Sequence, residues 1–313
     1  MLNRRHIRVK VMQSIYAMHQ NGSDNLEKQE KFLLNSIESI LDLYLILITI
    51  LPEMQKKEIE FIEKSKLKHL VTKEERNPNL KFVNNAIFTL IDENSKLSIA
   101  LETNRINNWQ ANDDTILSLL QSVKQSDLYE KYMASTDSSF EADRKFVADL
   151  YETIIAPNDV LYSYLEDFKM TWIDDIPVVN TLILKQLNQL TQKENAFKVP
   201  KTYKDDDDKA FAVALFRKTI LNEDKLSKEF SDKTPNWDID RIAEIDTIVL
   251  KMAICELLHF SSIPVKVTLN EYLEVVKEYS TPKSSFFING ILDNLVKEYQ
   301  TNNKINKVGR GLL

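Results

Sequence analysis

The chain has 313 residues, of which 43% are hydrophobic and 28% charged, with a formal net charge of −6. This composition is typical of a soluble globular protein with one large domain or two of ordinary size. Only 4 glycines and 8 prolines are present, which argues against P-loop, Rossmann and β-sandwich folds and favours helices.

A basic helix is predicted at the N-terminus, over residues 3–20. Its apolar residues recur at helical spacing along one narrow stripe: Ile7, Val11, Ile15 and Met18. Asn21-Gly22 is a turn signal that ends it. Residues 1–10 carry a charge of +4, so the rest of the chain carries −10. Two interpretations of these cations stay open, namely a solvated helix face and a local basic patch that attracts an RNA backbone.

The middle of the chain predicts helices without chemistry. Residues 25–70 read as one long helix or two, and the apolar run at 43–51, ended by Pro52, is too short to span a membrane and predicts a core helix. Two helical segments are predicted at about 80–103 and 112–134, and the loop between them reads NRINNWQAND. With one cysteine, Cys255, and no apolar run in residues 1–20, we expect a cytoplasmic protein without disulfides.

The sequence then repeats itself, because residues 143–185 resemble residues 208–251. The matched pairs include Phe146 with Phe211, Leu150 with Leu215, Asp159 with Asp224, Trp172 with Trp237, Asp174 with Asp240 and Thr181 with Thr247. This pattern indicates a duplicated helix–loop–helix unit. The stretch YKDDDDK at 203–209 resembles an epitope tag, but aspartates just before a helix also suit its N-terminal dipole, so we interpret it as native.

Three helical segments close the chain between residues 236 and 299. The first is apolar on nearly all faces, which predicts a central helix. Thr268 and Glu271 have capping-box spacing and predict the start of the second, and Pro282 breaks the chain before the third. Gly290 within the third suggests close approach by another backbone or by a ligand. The polar, basic residues 301–313 predict a flexible tail.

No enzymatic motif is found, and we predict no catalytic residue, metal site or cofactor. The four histidines lack ligand spacing, and the chain has no glycine-rich phosphate loop. A binding surface is predicted instead. Arg4, Arg5 and Arg8 suit phosphates, as does Lys283 beside a helix N-terminus. Phe286 or Phe287 offers a stacking surface for an unpaired base, unless both pack in the core.

Several of these segments together resemble the NusB family of transcription antitermination factors. The N-terminal NRRHIRVKVMQSIYAM resembles the family's opening arginine cluster, and NEYLEVVK and FFINGILD fall in the family's C-terminal order and spacing. The resemblance implies an all-α fold, a pair of three-helix bundles with additional helices inserted after the N-terminal helix. It also implies boxA-type single-stranded RNA and the ribosomal protein NusE as partners. It further implies loading onto an RNA polymerase elongation complex with other Nus factors, and no association with a membrane.

Carried over by position, the resemblance predicts two sets of contact residues. The RNA-binding set is Arg4, Arg5, Arg8, Lys283, Phe287 and Asn289. The set for the protein partner is Tyr16 and Asp246, and the latter replaces a common glutamate. The predicted organisation is a basic helix at 1–22, an additional helical section at 23–135, a core at 136–300 and a flexible tail at 301–313. A helical protein-interaction scaffold without specific RNA binding remains the alternative.

Overall fold

The computed structural model describes residues 2–67, 72–193, 197–231 and 243–312. Within these ranges the chain forms sixteen α-helices, short π and 3-10 turns, and no β-strand, so the predicted all-α class is confirmed. Trp237 and Asp240, which the repeat pairs with Trp172 and Asp174, lie outside the described residues, as does the predicted start of the central helix.

The chain divides into two compact units. Unit 1 comprises residues 1–37 and 202–313, and unit 2 comprises residues 38–201. Helix α2, Leu26–Lys66, begins in the first and continues in the second. The other helices of unit 1 are α1 Arg4–Gln20, α12 Asp206–Leu221, α13 Glu223–Ser231, α14 Glu244–His259, α15 Val265–Tyr279 and α16 Pro282–Thr301.

Unit 2 holds the shorter helices. They are α3 Lys73–Arg76, α4 Ala86–Asp92, α5 Ser95–Asn104, α6 Asn108–Ala111, α7 Asp113–Lys124, α8 Asp127–Ala134, α9 Phe140–Leu150, α10 Asp159–Phe168 and α11 Ile176–Gln189. The segments predicted at about 80–103 and 112–134 each form two helices. The breaks lie at Glu93–Asn94 and at Gln125–Ser126, where Asn94 and Ser126 act as N-caps.

The predicted core helix in the first half of the chain is longer than expected. The chain stays helical through Pro52, although proline donates no backbone hydrogen bond. By length and composition α2 could cross a membrane, yet 72% of its most apolar window is buried inside the protein. Trp109 donates its indole N–H to the Ile46 carbonyl at 3.0 Å, and Tyr44 donates to Gln186 at 2.5 Å. These contacts are those of a core helix.

Helix α14 is the centre of unit 1, as its all-round apolar pattern predicts. It packs against α1, α12, α13, α15 and α16. Cys255 is buried within it, and burial raises the pKa of its thiol to about 11, which fits the predicted structural role. The capping box predicted for Thr268 and Glu271 is wrong, because α15 already begins at Val265 and both side chains bind partners in other helices.

The units do not follow the predicted boundaries at residues 22 and 135. The first repeat copy lies in unit 2, where α9 packs against α4 and α8, and the second copy lies in unit 1.

The C-terminal tail differs from the flexible segment predicted. Lys307 donates to the carbonyls of Glu256 and Phe260 at the C-terminal end of α14, and Val308 N–H donates to the Ser261 carbonyl at 3.0 Å. A cation at this helix end complements its dipole.

Candidate nucleic-acid and partner interface

Helix α1 begins with a cap that leaves its first turn basic. The Asn3 side chain accepts from the His6 backbone N–H at 3.0 Å, and the His6 ring accepts from the Asn3 N–H at 3.4 Å. No acidic residue lies in this turn. Arg4 and Arg5 therefore leave the helix side by side at its N-terminus, where the positive end of the helix dipole adds to their charge.

Each of these two arginines has a carboxylate partner, of which Asp208 is buried and Glu271 is partly exposed. Arg4 Nε lies 2.9 Å from Asp208, and Arg5 donates two hydrogen bonds of 3.0 Å to Glu271. The arginine side chains are 39% and 38% exposed. Arg5 lowers the pKa of the Glu271 carboxyl, which therefore stays ionised. The more exposed pair, that of Arg5 with Glu271, stabilises the fold little.

Arg8 is different, because its guanidinium is buried and paired, and its role as an RNA contact stays a prediction. Its guanidinium is 2% exposed and donates to both carboxylate oxygens of Glu256 at 2.7 and 2.8 Å. Glu256 also accepts from the hydroxyls of Thr268 at 2.8 Å and Tyr272 at 3.2 Å. The Arg8 guanidinium further lies 5.2 Å from the Phe211 ring centroid. This buried ion pair supports the fold, and Arg8 also lines the cavity beside Arg4 and Arg5.

An open cavity of about 540 Å³ lies beside the exposed arginines. Its apolar lining is Ile263, Pro264 and Val267. Its charged lining is Arg4, Arg5, Arg8 and Glu271. This size is within the range of small-ligand sites, about 300–1,000 Å³. An anion bound to the arginines would also have an apolar surface beside it for a flat group.

The other predicted RNA contacts lie at the start of α16, away from the lining of this cavity. Lys283 is exposed in the first turn, Phe287 is half-buried, and Asn289 donates to Asp293 at 3.2 Å. Phe286 is 84% exposed, so of the two phenylalanines it presents the larger free surface. Helix α16 packs against α15, and α15 also packs against α1.

Two features of α16 bear on its predicted contacts with a ligand. The hydroxyls of Ser280, Thr281 and Ser284 bond to one another, and Thr281 caps the helix through the Ser284 N–H, so these groups are already used. Gly290 has no atom within 4 Å of the position a Cβ would take, which excludes a close backbone among the described residues. Approach by a ligand remains the open alternative.

The two residues predicted for the protein partner belong to α1 and α14, which pack together. Tyr16 is exposed. Asp246 is 4% exposed, and its Oδ1 has no hydrogen-bond partner among the described residues. A buried carboxylate oxygen without a partner is costly, and a donor from another molecule would satisfy it.

A charged cluster that the sequence reasoning missed follows Tyr16 by one turn. His19 lies between two glutamates, with Nε2 3.1 Å from Glu223 and Nδ1 3.2 Å from Glu244. Lys251 Nζ lies 2.6 Å from Glu223. The bond to Glu223 raises the pKa of His19, and the bond from His19 lowers the pKa of Glu223 to about 2. Since these partners are more than 200 residues from His19 in sequence, no local pattern indicates the cluster.

Comparison with known proteins identifies the region that carries part of this surface. Residues 177–297 match the NusB family model. A relative from Salinibacter ruber, named transcription antitermination protein NusB, is 41% identical over 103 residues, or 33% of this chain and 64% of the relative. One of the same name from Chloroherpeton thalassium is 37% identical over 105 residues, or 34% of this chain and 50% of the relative. This region of the chain is therefore similar to the NusB family.

The NusB match has clear bounds in this longer chain. The solved structure of T. maritima NusB is 29% identical and covers 40% of this chain and 80% of its own, with a TM-score of 0.30, too low to support a comparison of architecture. The chain spans only part of the length of the curated NusB relatives, 64% and 50% of the two described. Asp246, Lys283, Phe287 and Asn289 lie within the matched residues, whereas the α1 residues lie before them.

Proposed function

We propose that this protein is a cytoplasmic transcription antitermination factor that binds boxA-type single-stranded RNA together with the ribosomal protein NusE. It would act in an RNA polymerase elongation complex with other Nus factors and support transcription of ribosomal RNA. The observation that carries the proposal is the match of residues 177–297 to the NusB family, in a chain whose α1 presents two exposed arginines at an open cavity.

The RNA surface we propose is smaller than the one predicted from the sequence. Arg4 and Arg5 would exchange Asp208 and Glu271 for phosphate oxygens, which arginine binds in a bidentate manner. Lys283 adds a cation, and exposed Phe286 or half-buried Phe287 adds an aromatic ring on which an unstacked base can lie. Arg8 is left out as a contact, because Glu256 holds its guanidinium in the core.

The test is a binding assay of the purified full chain with boxA RNA and a scrambled RNA at two salt concentrations. Replacing both Arg4 and Arg5 with alanine should weaken boxA binding at least tenfold, since each charge-assisted hydrogen bond contributes about 1.5–3 kcal/mol. The log–log salt slope should become less steep by about 0.7 for each phosphate that the variant no longer neutralises. Glu271→Gln should bind more tightly than the wild type, because it removes the carboxylate that competes for Arg5.

Arg217→Ala is the matched control. Arg217 is another half-exposed arginine of unit 1 paired with a carboxylate, that of Glu30, and it does not line the cavity. It should bind boxA as the wild type does. Equal binding by wild type and the Arg4/Arg5 double variant would show that the RNA surface is assigned to the wrong residues.

One observation favours the second candidate, a helical scaffold that binds proteins only. Each arginine of the α1 cluster already has a carboxylate partner. Asp246 Oδ1, in contrast, has no hydrogen-bond partner among the described residues, and its helix packs against the one that carries Tyr16. Purified NusE should bind the wild type, and Asp246→Ala and Tyr16→Ala should each weaken that binding. NusE binding without any preference of the complex for boxA over scrambled RNA would favour the scaffold.

A further inference from the structure

A second cavity lies in unit 2, largely outside the residues that match the NusB family. Its volume is about 470 Å³, and the loop between α5 and α7 forms one side of it. This loop is the asparagine-rich stretch to which the sequence assigned no role. The lining includes Arg105, Asn107, Gln110, Asn112, Phe168 and Lys169. Polar amides, two cations, the carboxylate of Asp42 and an exposed aromatic ring therefore surround one space large enough for a small molecule.

The amide side chains of this loop are held in place by the fold. Asn108 donates to the Tyr164 hydroxyl at 2.8 Å, and Asn112 donates to the Asn108 carbonyl at 2.8 Å. Trp109 between them is buried and donates to α2. The side chains of Asn107 and Gln110, in contrast, are exposed and bond to none of the residues that the structure describes. An amide offers a donor and an acceptor side by side, as the edge of a nucleobase does.

Another part of the cavity lining is aromatic. Phe168 is 56% exposed and stacks on buried Trp172, with ring centroids 5.5 Å apart and an interplanar angle of 21°. Trp172 is fixed by a hydrogen bond of 3.0 Å from its indole N–H to the Ser39 carbonyl. The outer face of a phenylalanine ring backed by a fixed indole is a stacking surface that a flat ligand can cover.

Arg105 supplies charge at a backbone position that arginine rarely occupies. It ends α5 with φ of 55°, in the left-handed region where glycine is the usual residue. Its side chain is exposed and forms no ion pair or hydrogen bond with the described residues. A strained backbone that presents an unpaired guanidinium at a cavity indicates binding of an anion.

We infer that this cavity binds a nucleotide, with the base stacked on Phe168, its edge at Asn107 and Gln110, and a phosphate at Arg105. The nucleotide is either free or part of single-stranded RNA, and both present the same chemistry. The inference concerns residues of unit 2 and does not depend on the proposed binding of boxA by unit 1.

The test measures binding of AMP, UMP, adenosine and a scrambled single-stranded RNA to the full chain by calorimetry. Phe168→Ala should weaken the binding of whichever of these ligands binds the wild type by about fivefold to 100-fold, which is the range for loss of one base stack. Arg105→Gly should weaken binding of the nucleotides, and not of adenosine, about tenfold. Because glycine relieves the left-handed backbone, Arg105→Gly should melt no lower than the wild type, so a loss of binding cannot be ascribed to misfolding.

Two matched variants complete the design. Tyr162→Ala removes a partly exposed ring from the same helix as Phe168, and Lys96→Ala removes a cation from the same helix as Arg105, and neither residue lines the cavity. Both should bind as the wild type does. Mononucleotide binding identifies a nucleotide site, whereas binding of RNA alone, sensitive to Phe168 and Arg105, identifies an RNA site. The inference is overturned if neither a mononucleotide nor the RNA binds at millimolar concentration. It is also overturned if Phe168→Ala and Arg105→Gly both bind as the wild type does. The boxA preference tested with Arg4 and Arg5 is scored separately.

Discussion

Replacing Arg8 with alanine separates a role in the fold from a role in RNA binding. The substitution leaves the Glu256 carboxylate, 0% exposed, without the cation that neutralises it. Breaking a buried ion pair from one side costs about 3–5 kcal/mol, because the remaining charge is buried without compensation. The free energy of unfolding of natural domains is about 5–15 kcal/mol, so this loss would be a large part of the stability of unit 1.

The measurement is urea denaturation followed by circular dichroism at the helical minimum. With a slope of about 2 kcal/mol per molar urea, the midpoint of the affected transition should fall by roughly 2 M. Hydrogen exchange of peptides from α1 and α14 then locates the loss in unit 1. Arg8→Met with Glu256→Gln should recover most of the stability, since it removes both charges and retains an acceptor for Thr268 and Tyr272.

Arg5→Ala is the control, because it removes a bidentate pair of the same chemistry that is 38% exposed. Its cost should be about 0–1 kcal/mol. Our reasoning is refuted if Arg8→Ala unfolds at the wild-type urea concentration while losing boxA affinity. That result would make Arg8 a phosphate contact whose pairing with Glu256 contributes little.

Three further outcomes are expected. The pKa of His19 is raised above its ordinary 6.5, so its pairing stabilises unit 1 below that pH and is lost as pH rises through the raised value; His19→Gln should remove this dependence in urea titrations. Gly290→Ala should raise the free energy of unfolding by about 1 kcal/mol, since the added methyl meets open space. Gly311→Ala should detach the tail, because its Cβ would lie 1.9 Å from the Ser261 carbonyl oxygen, and hydrogen exchange at residues 304–312 should rise.

Each of these three predictions has a second variant for comparison. Burial lowers the pKa of His259, so His259→Gln should leave in place the loss of stability as pH rises above 6.5. Gly22→Ala should lower stability where Gly290→Ala raises it, because Gly22 has φ of 56°. Lys307→Ala should reproduce the exchange change of Gly311→Ala if the tail is held at the end of α14 through that ammonium.

Local pattern predicted the helices well and their partners poorly. The apolar stripe of α1 and the all-round apolar α14 have the spacing of helices packed in a core, and both are there. The fate of Arg8 was not predicted, because Glu256 lies 248 residues away in sequence. One signal was available, since an acid inside an otherwise apolar central helix must find a partner. Thr268 and Glu271 misled the prediction for the same reason, because partners distant in sequence took both side chains.

The same buried aspartate position of the repeat has different partners in the two copies. Asp143 in the first copy accepts from the Ala86 N–H at 2.8 Å and from the Tyr132 hydroxyl at 2.6 Å, so it ties neighbouring helices of unit 2 together. Asp208, its counterpart, binds Arg4 at 2.9 Å. The first aspartate has fixed internal partners, whereas the second holds a side chain that is 39% exposed and can be given up to another anion. In the described parts of the two copies, the first aspartate therefore holds helices of its own unit together, whereas the second pairs with a half-exposed arginine.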